Sequence, residues 1–145
     1  MQMRLAKPVI RLFTRLHVWL YRRSGGRLFN RMGGGEICIV KMTGAKTGRR
    51  VEVPLMHVPY RDGMVLVASL AGAPNHPAWY HNLIEHPHFE VTVGHVTRRL
   101  VARVASKEEK SQVWPLCCQA YPAFQLYQDG TERDIPVFIC EPGHG

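Results

Sequence analysis

Four histidines, His76, His81, His86 and His88, fall within the stretch NHPAWYHNLIEHPHFEVTV beside the aromatic pair Trp79 and Tyr80. Such a cluster can hold a metal, pack in a core, or wall a site for something flat. A zinc centre needs three or four converging ligands. His81 and His86 are five residues apart, which rotates them away from a common helix face, and Pro87 separates His86 from His88. No HExxH or paired-cysteine motif supports them. The expectation is therefore no metal site, with the histidines in turns or at the surface. Trp79 and Tyr80 differ. Two large aromatics in the first turn of a short helix suit core packing, and they also suit a planar ligand whose acidic part meets the helix N-terminus.

A second concentration of chemistry is TGAKTGRR, where Lys46, Arg49 and Arg50 stand among Gly44 and Gly48 with Thr47 between. Glycines let backbone N–H groups approach an anion and the cations neutralise it. The P-loop spacing GxxxxGK[ST] is absent. Two readings remain open, a solvated basic hairpin loop and a cradle for phosphate or carboxylate.

The elements that must position these residues follow from periodicity. Residues 5–23 have helical period, with Leu5, Val9, Leu12, Phe13, Leu16 and Leu20 on one stripe and cations mostly on another. Gly25 and Gly26 end this helix, and Gly33 to Gly35 form a hinge. Extended runs follow at 36–43 and 51–60, then a turn at Asp62-Gly63 and the buried run VLVASL. Asn75 or His76 is placed to cap a short helix with Pro77 in its first turn. Two strands flank Gly94. Ser106 with Glu109 gives a capping box for a longer helix that Pro115 is expected to kink or split, and IPVFICE is the last strand. Consecutive strands with tight turns predict an α+β fold: about six antiparallel strands in a small barrel, flanking helices and an N-terminal amphipathic helix.

Charge divides the chain. Eight of its 19 basic residues precede the first acid, Glu36, and the other eleven match the 11 acids. The net +8 thus belongs to an N-terminal arm, residues 1–35, and a neutral body spans 36–145. A basic amphipathic helix of this kind suits an anionic membrane surface. No apolar run reaches the roughly 18 residues of a membrane span. Cys38, Cys117, Cys118 and Cys140 form no CxxC pair and read as reduced thiols, packed as small hydrophobes in a cytoplasmic protein. No motif of a nucleic-acid-binding fold is present.

Four stretches together, TGAKTGRRVEVPL, VASLAGAPNHPAWYHNL, HPHFEVTV and YPAFQLYQDGTERDIPVFICEP, resemble the deazaflavin-dependent nitroreductase family of actinobacteria. Its PxWYxNL motif stands here as Pro77, Trp79, Tyr80, Asn82 and Leu83, and its TGxKTG motif as Thr43, Gly44, Lys46, Thr47 and Gly48. The resemblance covers about residues 37–142. It implies a split β-barrel that binds coenzyme F420, a deazaflavin with a phosphate and a polyglutamate tail. The residues it implies for the cofactor are Ala45, Lys46, Thr47, Gly48, Arg49, Arg50, Pro54, Ser69, Ala78, Trp79, Tyr80, Asn82 and Tyr121. It implies catalytic roles for Tyr121, Tyr127 and Ser69, and an acceptor pocket that includes Met56 and Phe124. At these last two positions the family's best-known nitroreductase carries tyrosines, so the pocket is greasier here. The implied reaction is hydride transfer from reduced F420 to a quinone or activated enone, with nitro compounds less favoured. The alternatives are a non-catalytic deazaflavin- or lipid-binding protein and an FMN-binding split barrel. The expected location is the cytoplasm, peripheral to the inner face of the cell membrane.

Overall fold

The computed structural model describes residues 7–27, 30–32 and 35–143. Its elements, in chain order, are α1 (Lys7–Arg23), β1 (Arg31–Met32), β2 (Gly35–Thr43), β3 (Arg50–Met56), β4 (Val58–Tyr60), β5 (Gly63–Val67), a 3-10 turn (Leu70–Gly72), α2 (Ala78–Glu85), β6 (His88–Val93), β7 (Val96–Val104), α3 (Lys107–Ala120), α4 (Ala123–Asp129) and β8 (Val137–Pro142). Every strand pair is antiparallel.

The strand order explains how the sheet closes. The path β2-β6-β7-β8-β5-β4 has β3 paired to the other edge of β2. One extended run was expected over 51–60, and the structure breaks it at His57, whose N–H bonds back to the Glu36 carbonyl at 2.8 Å. Before the break the run pairs with β2, and after it the run pairs with β5. A single bent strand thus joins the two ends of the sheet into a ring of six, which opens where β3 leaves β2's side for β5's. The eight strand segments are these six, with the bent one counted twice, plus the two-residue β1.

Period-2 alternation sorts the side chains. Val40 and Met42 of β2, Met64 and Leu66 of β5, and Phe138 and Cys140 of β8 fill the barrel. Their sequence neighbours face outward and are also covered: Val65, Val67 and Val137 by α3 and α4, and Ile39 by Val18 and Tyr21 of α1. Two covered faces are why these strands read as unbroken apolar runs. Cys38, Cys117 and Cys140 are buried free thiols, and burial pushes Cys38 and Cys117 up to about 12.

Local expectations were met unevenly. Ser106 and Glu109 form the reciprocal capping box at 3.1 and 3.0 Å. Pro115 neither splits nor ends α3, which continues to Ala120. Residues 123–129 form a further helix, α4, behind Pro122. Pro77 itself is the N-cap of α2, without a side-chain cap, so neither Asn75 nor His76 has that role. The β4–β5 turn centres on Arg61 and Asp62, one residue earlier than expected. Gly63 serves close approach instead, since a Cβ there would sit 1.9 Å from the Cys140 carbonyl oxygen.

α1 docks through residues outside the apolar stripe. Val18 and Tyr21 are buried, while Leu12, Phe13, Leu16 and Trp19 stand in solvent at 50 to 68% exposure. Tyr21 donates to the Ile37 carbonyl at 3.2 Å and accepts from the Gly94 N–H at 2.9 Å, bolting the helix to β2 and to the β6–β7 turn. Leu5, Gly33 and Gly34 lie outside the described residues.

Candidate active site

Alternation along β3 turns Arg50, Glu52, Pro54 and Met56 to one side of the strand. At its far end Pro54 and Met56 join Ile37, Val67, Ser69, Ala71, Tyr121, Phe124 and Tyr127 around a cleft of about 190 Å³. Six of the residues singled out in the sequence, Pro54, Met56, Ser69, Tyr121, Phe124 and Tyr127, therefore meet in one place. The position is the opening of the barrel, where the bent strand crosses between partners. At the near end of β3 lies the basic hairpin, roughly 13 Å from Pro54 at about 3.3 Å per residue.

That hairpin is held from within. Gly44 and Arg49 close it through N–H to carbonyl at 2.8 Å, and Gly48 takes a left-handed φ of 69°. Asn82 of α2 accepts from the Ala45 N–H at 2.9 Å and reaches Met42 with its amide nitrogen. Its amide is thus spent on the hairpin, which it presents. Lys46, Thr47, Gly48, Arg49 and Arg50 remain exposed. None of the three cations has an ion-pair partner among the described residues. Glu52, the one carboxylate on that face of β3, is gripped by Arg22 of α1 at 2.9 and 3.3 Å. The face is left net positive.

The aromatics of α2 divide their roles. Trp79 is 8% exposed and packs against Phe138 with ring centres 5.8 Å apart, so its indole closes the barrel core. Tyr80 is half-buried and stacks on His76 at 4.3 Å. Ala78 is exposed at the helix start. Among the histidines, His76 lies 3.0 Å from Arg133, while His81, His86 and His88 are exposed. Among the described residues no three metal-ligating groups converge.

In the cleft, Tyr121 ends α3 and Tyr127 lies on α4, with their hydroxyl oxygens 3.3 Å apart. Tyr121 is raised above the usual phenol range, first by that hydrogen bond, then by burial, then by the charge Tyr127 would carry. Phe124 packs edge-on against Tyr121 at 5.0 Å and is buried. Ser69 is nearly buried, and among the described residues its hydroxyl makes no hydrogen bond. Ser69 enters a strained turn in which Leu70, Ala71 and Gly72 have φ of 42°, 53° and 78°. Left-handed backbone costs a non-glycine residue roughly 1 kcal/mol or more. Sequence reasoning missed Ala71, Val67, Leu55 and Ile37 as cleft walls. It also missed Arg133, which sits between Glu132 and Asp134 and so reads as locally paired.

The geometry defines a class: a split-barrel protein with an apolar cleft, paired phenols, and a cationic platform at the other end of the same strand. Such a site fits a planar redox cofactor with an anionic tail. Residues 13–142 match the F420H(2)-dependent quinone reductase family, and the chain belongs to it. An F420H(2)-dependent quinone reductase of Mycobacterium tuberculosis is 31% identical over 129 residues, covering 86% of this chain and 87% of the relative. A solved F420-H2-dependent reductase, FDR-A, superposes with TM-score 0.68 at 40% identity, covering 72% of this chain and 93% of that one. A solved domain-swapped dimer superposes with TM-score 0.71 at 34% identity, covering 93% and 100%. The family, the fold and the sequence resemblance agree.

Proposed function

We propose that this chain is an F420H(2)-dependent reductase that passes a hydride to a lipophilic acceptor such as a quinone or an activated enone. The observation that carries the reading is the layout of one strand face, with exposed cations at one end and the tyrosine cleft at the other. Lys46, Arg49 and Arg50 would hold the anionic tail, with Thr47 and the Ala45–Gly48 backbone beside them. Pro54 and Ser69 would flank the ring. When bound, the reduced deazaflavin supplies two electrons as a hydride.

The protein's own residues then have three tasks. Ser69 and the phenols hold the acceptor's oxygen within reach, which turns an encounter into an oriented reaction. Tyr121, kept protonated by its surroundings, donates a proton to that oxygen, and Tyr127 stands next in line to replace it. A quinone that gains one hydride and one proton leaves as the quinol. Phe124 and Met56 bring no hydroxyl, so they exclude water and favour an apolar acceptor over a nitro group that needs several donors.

The test is an acceptor screen. Oxidation of reduced F420 is followed with a menaquinone analogue, a cyclohexenone and a nitroimidazole, beside titrations with F420 and FMN. The quinone should turn over fastest, and F420 should bind more tightly than FMN. Binding of FMN alone, or F420 binding without turnover of any acceptor, would overturn the reading.

A second observation favours a lipid surface as partner. Leu12, Leu16 and Trp19 form one exposed apolar face of α1, with Phe13 beside it, and Arg23 lies over the Trp19 ring at 5.6 Å. Among the described residues no helix is long and apolar enough to cross a membrane. This face would lie on anionic lipid and bring the cleft near dissolved quinone. Deleting the arm would strip the buried Tyr21 from the barrel, so Leu16→Glu and Trp19→Ala are the suitable variants. Both should lose sedimentation with anionic vesicles while keeping turnover of a soluble quinone. Unchanged sedimentation would remove the lipid partner.

A further inference from the structure

Arg133 carries a guanidinium that no carboxylate neutralises among the described residues. Its neighbour Asp134 turns to Lys110. The guanidinium instead donates to the chain more than 50 residues away: Nε to the Ala73 carbonyl at 2.7 Å, Nη1 to the Ala68 carbonyl at 3.2 Å, and Nη2 to the Ser69 carbonyl at 2.7 Å. Nη1 also lies 3.0 Å from His76 Nδ1, which must accept, because arginine can only donate. These four bonds bracket the left-handed turn at both ends. Burial does not hold that turn, since Leu70 and Ala71 are exposed. Two backbone bonds close it, Gly72 N–H to Ser69 and Ala73 N–H to Leu70, and both leave its orientation to the barrel unfixed.

Arg133 is itself anchored. Its carbonyl accepts from Gln128 at 2.9 Å, and Gln128 sits one position after Tyr127 on α4. The residue whose side chain grips the Ser69 loop is thereby tied through its backbone to the helix that carries a cleft phenol. Gly72 completes the contact, for a Cβ there would meet the Tyr127 carbonyl at 3.0 Å.

We infer that Arg133 is a positioning residue for the reaction: its fork of hydrogen bonds sets the Ser69–Ala71 wall of the cleft in register with Tyr121 and Tyr127. The planar fork is required. Lysine offers a point charge and cannot reach three carbonyls and an imidazole in fixed directions. The inference rests on the reductase reading only for its kinetic arm.

The experiment compares wild type, Arg133→Lys, Arg133→Met, Ser69→Ala and the double variant Arg133→Lys/Ser69→Ala. Amide exchange over residues 68–76, in protein without cofactor, should quicken roughly tenfold in Arg133→Lys while the β6–β7 hairpin stays protected. Turnover of the quinone should fall on the order of 10- to 100-fold, as for a displaced positioning group, with F420 affinity falling far less because the cationic hairpin is untouched. In the Ser69→Ala background the Arg133→Lys loss should shrink to a few-fold, because the group being positioned is gone. Methylguanidinium at tens of millimolar should restore part of the turnover of Arg133→Met, and methylammonium should not. Unchanged exchange, or equal loss with and without Ser69, overturns the inference. A wild type that binds F420 yet reduces no acceptor defeats the reductase reading and removes the kinetic arm with it, while the exchange result still decides whether Arg133 holds the loop.

Discussion

Tyr121 and Tyr127 place their hydroxyl oxygens 3.3 Å apart at the mouth of the barrel, one at the end of α3 and the other on α4. Each phenol is the other's only hydrogen-bond partner among the described residues, so an incoming acceptor oxygen competes with nothing else for them. The pair raises the pKa of Tyr121, through the shared hydrogen bond first and burial second. The protonated, donating form then persists through neutral pH and is lost only above the ordinary phenol value of about 10. Tyr121→Phe should lower quinone turnover about 10- to 100-fold with little change in F420 affinity. Tyr127→Phe removes the first cause of the shift, so the alkaline limb of the pH–rate profile should move to lower pH. An unmoved limb would mean that Tyr121 is not the group it reports.

The basic hairpin makes a separate prediction. Lys46, Arg49 and Arg50 are exposed and have no ion-pair partner among the described residues, so their attraction for an anionic tail is screened by salt. Replacing each with Gln should weaken F420 binding by roughly three- to tenfold at low salt, and less at high salt. Turnover at saturating cofactor should be preserved. Asn82→Ala should give a similar weakening by freeing the Ala45 N–H, without any change of charge. Isothermal titration at two salt concentrations checks both.

Stability separates residues that pack from residues that bind. Trp79 lies against Phe138 in the barrel, and truncation to Ala should cost about 3–5 kcal/mol, while Trp79→Phe should cost much less. Gly63→Ala drives a Cβ into the Cys140 carbonyl and should cost about 1–3 kcal/mol or more without touching the cleft. Urea unfolding followed by Trp fluorescence or circular dichroism measures both. A Trp79→Ala protein of full stability would return the indole to the ligand wall.

The sequence was most legible where one residue type has one physical use. Ser106 with Glu109 announces a helix start because the reciprocal bonds need only four residues. The glycines and cations of 44–50 announce a hairpin for the same local reason. Tyr121, Tyr127, Ser69 and Met56 could be gathered into one site only through the family resemblance, since they lie on α3, α4, a loop and β3. Arg133 was illegible because its partners are distant carbonyls, which have no signature in sequence. The apolar stripe of α1 was legible, and so was its availability to a surface other than the barrel, but the face that docks was not. Helical period alone cannot tell which apolar face a barrel chooses, and here Val18 and Tyr21 won because Tyr21 also satisfies Gly94 and Ile37. Pro115 does not split α3, because a proline inside a helix forfeits one bond, which a capped, packed helix tolerates.

His76 gives the loop a pH dependence whose sign is fixed by its surroundings. Its pKa is held below the ordinary histidine value, by burial first, then by the charge of Arg133, then by His81. In the native protein it stays neutral with Nδ1 accepting from Arg133, whereas the unfolded chain protonates it near pH 6.5. Between that value and the lower folded pKa the unfolded state binds more protons, so stability falls as pH falls through this window and is complete above it. Protonation in the folded state would also remove the Nδ1 lone pair and set two cations against each other, loosening the loop that carries Ser69. His76→Gln keeps an acceptor but cannot titrate. Its stability should decline less steeply than wild type between about pH 6.5 and 5. The remaining histidines are common to both proteins, so the difference between the two curves isolates His76. Parallel curves would show that the imidazole at this position does not sense pH in the folded chain.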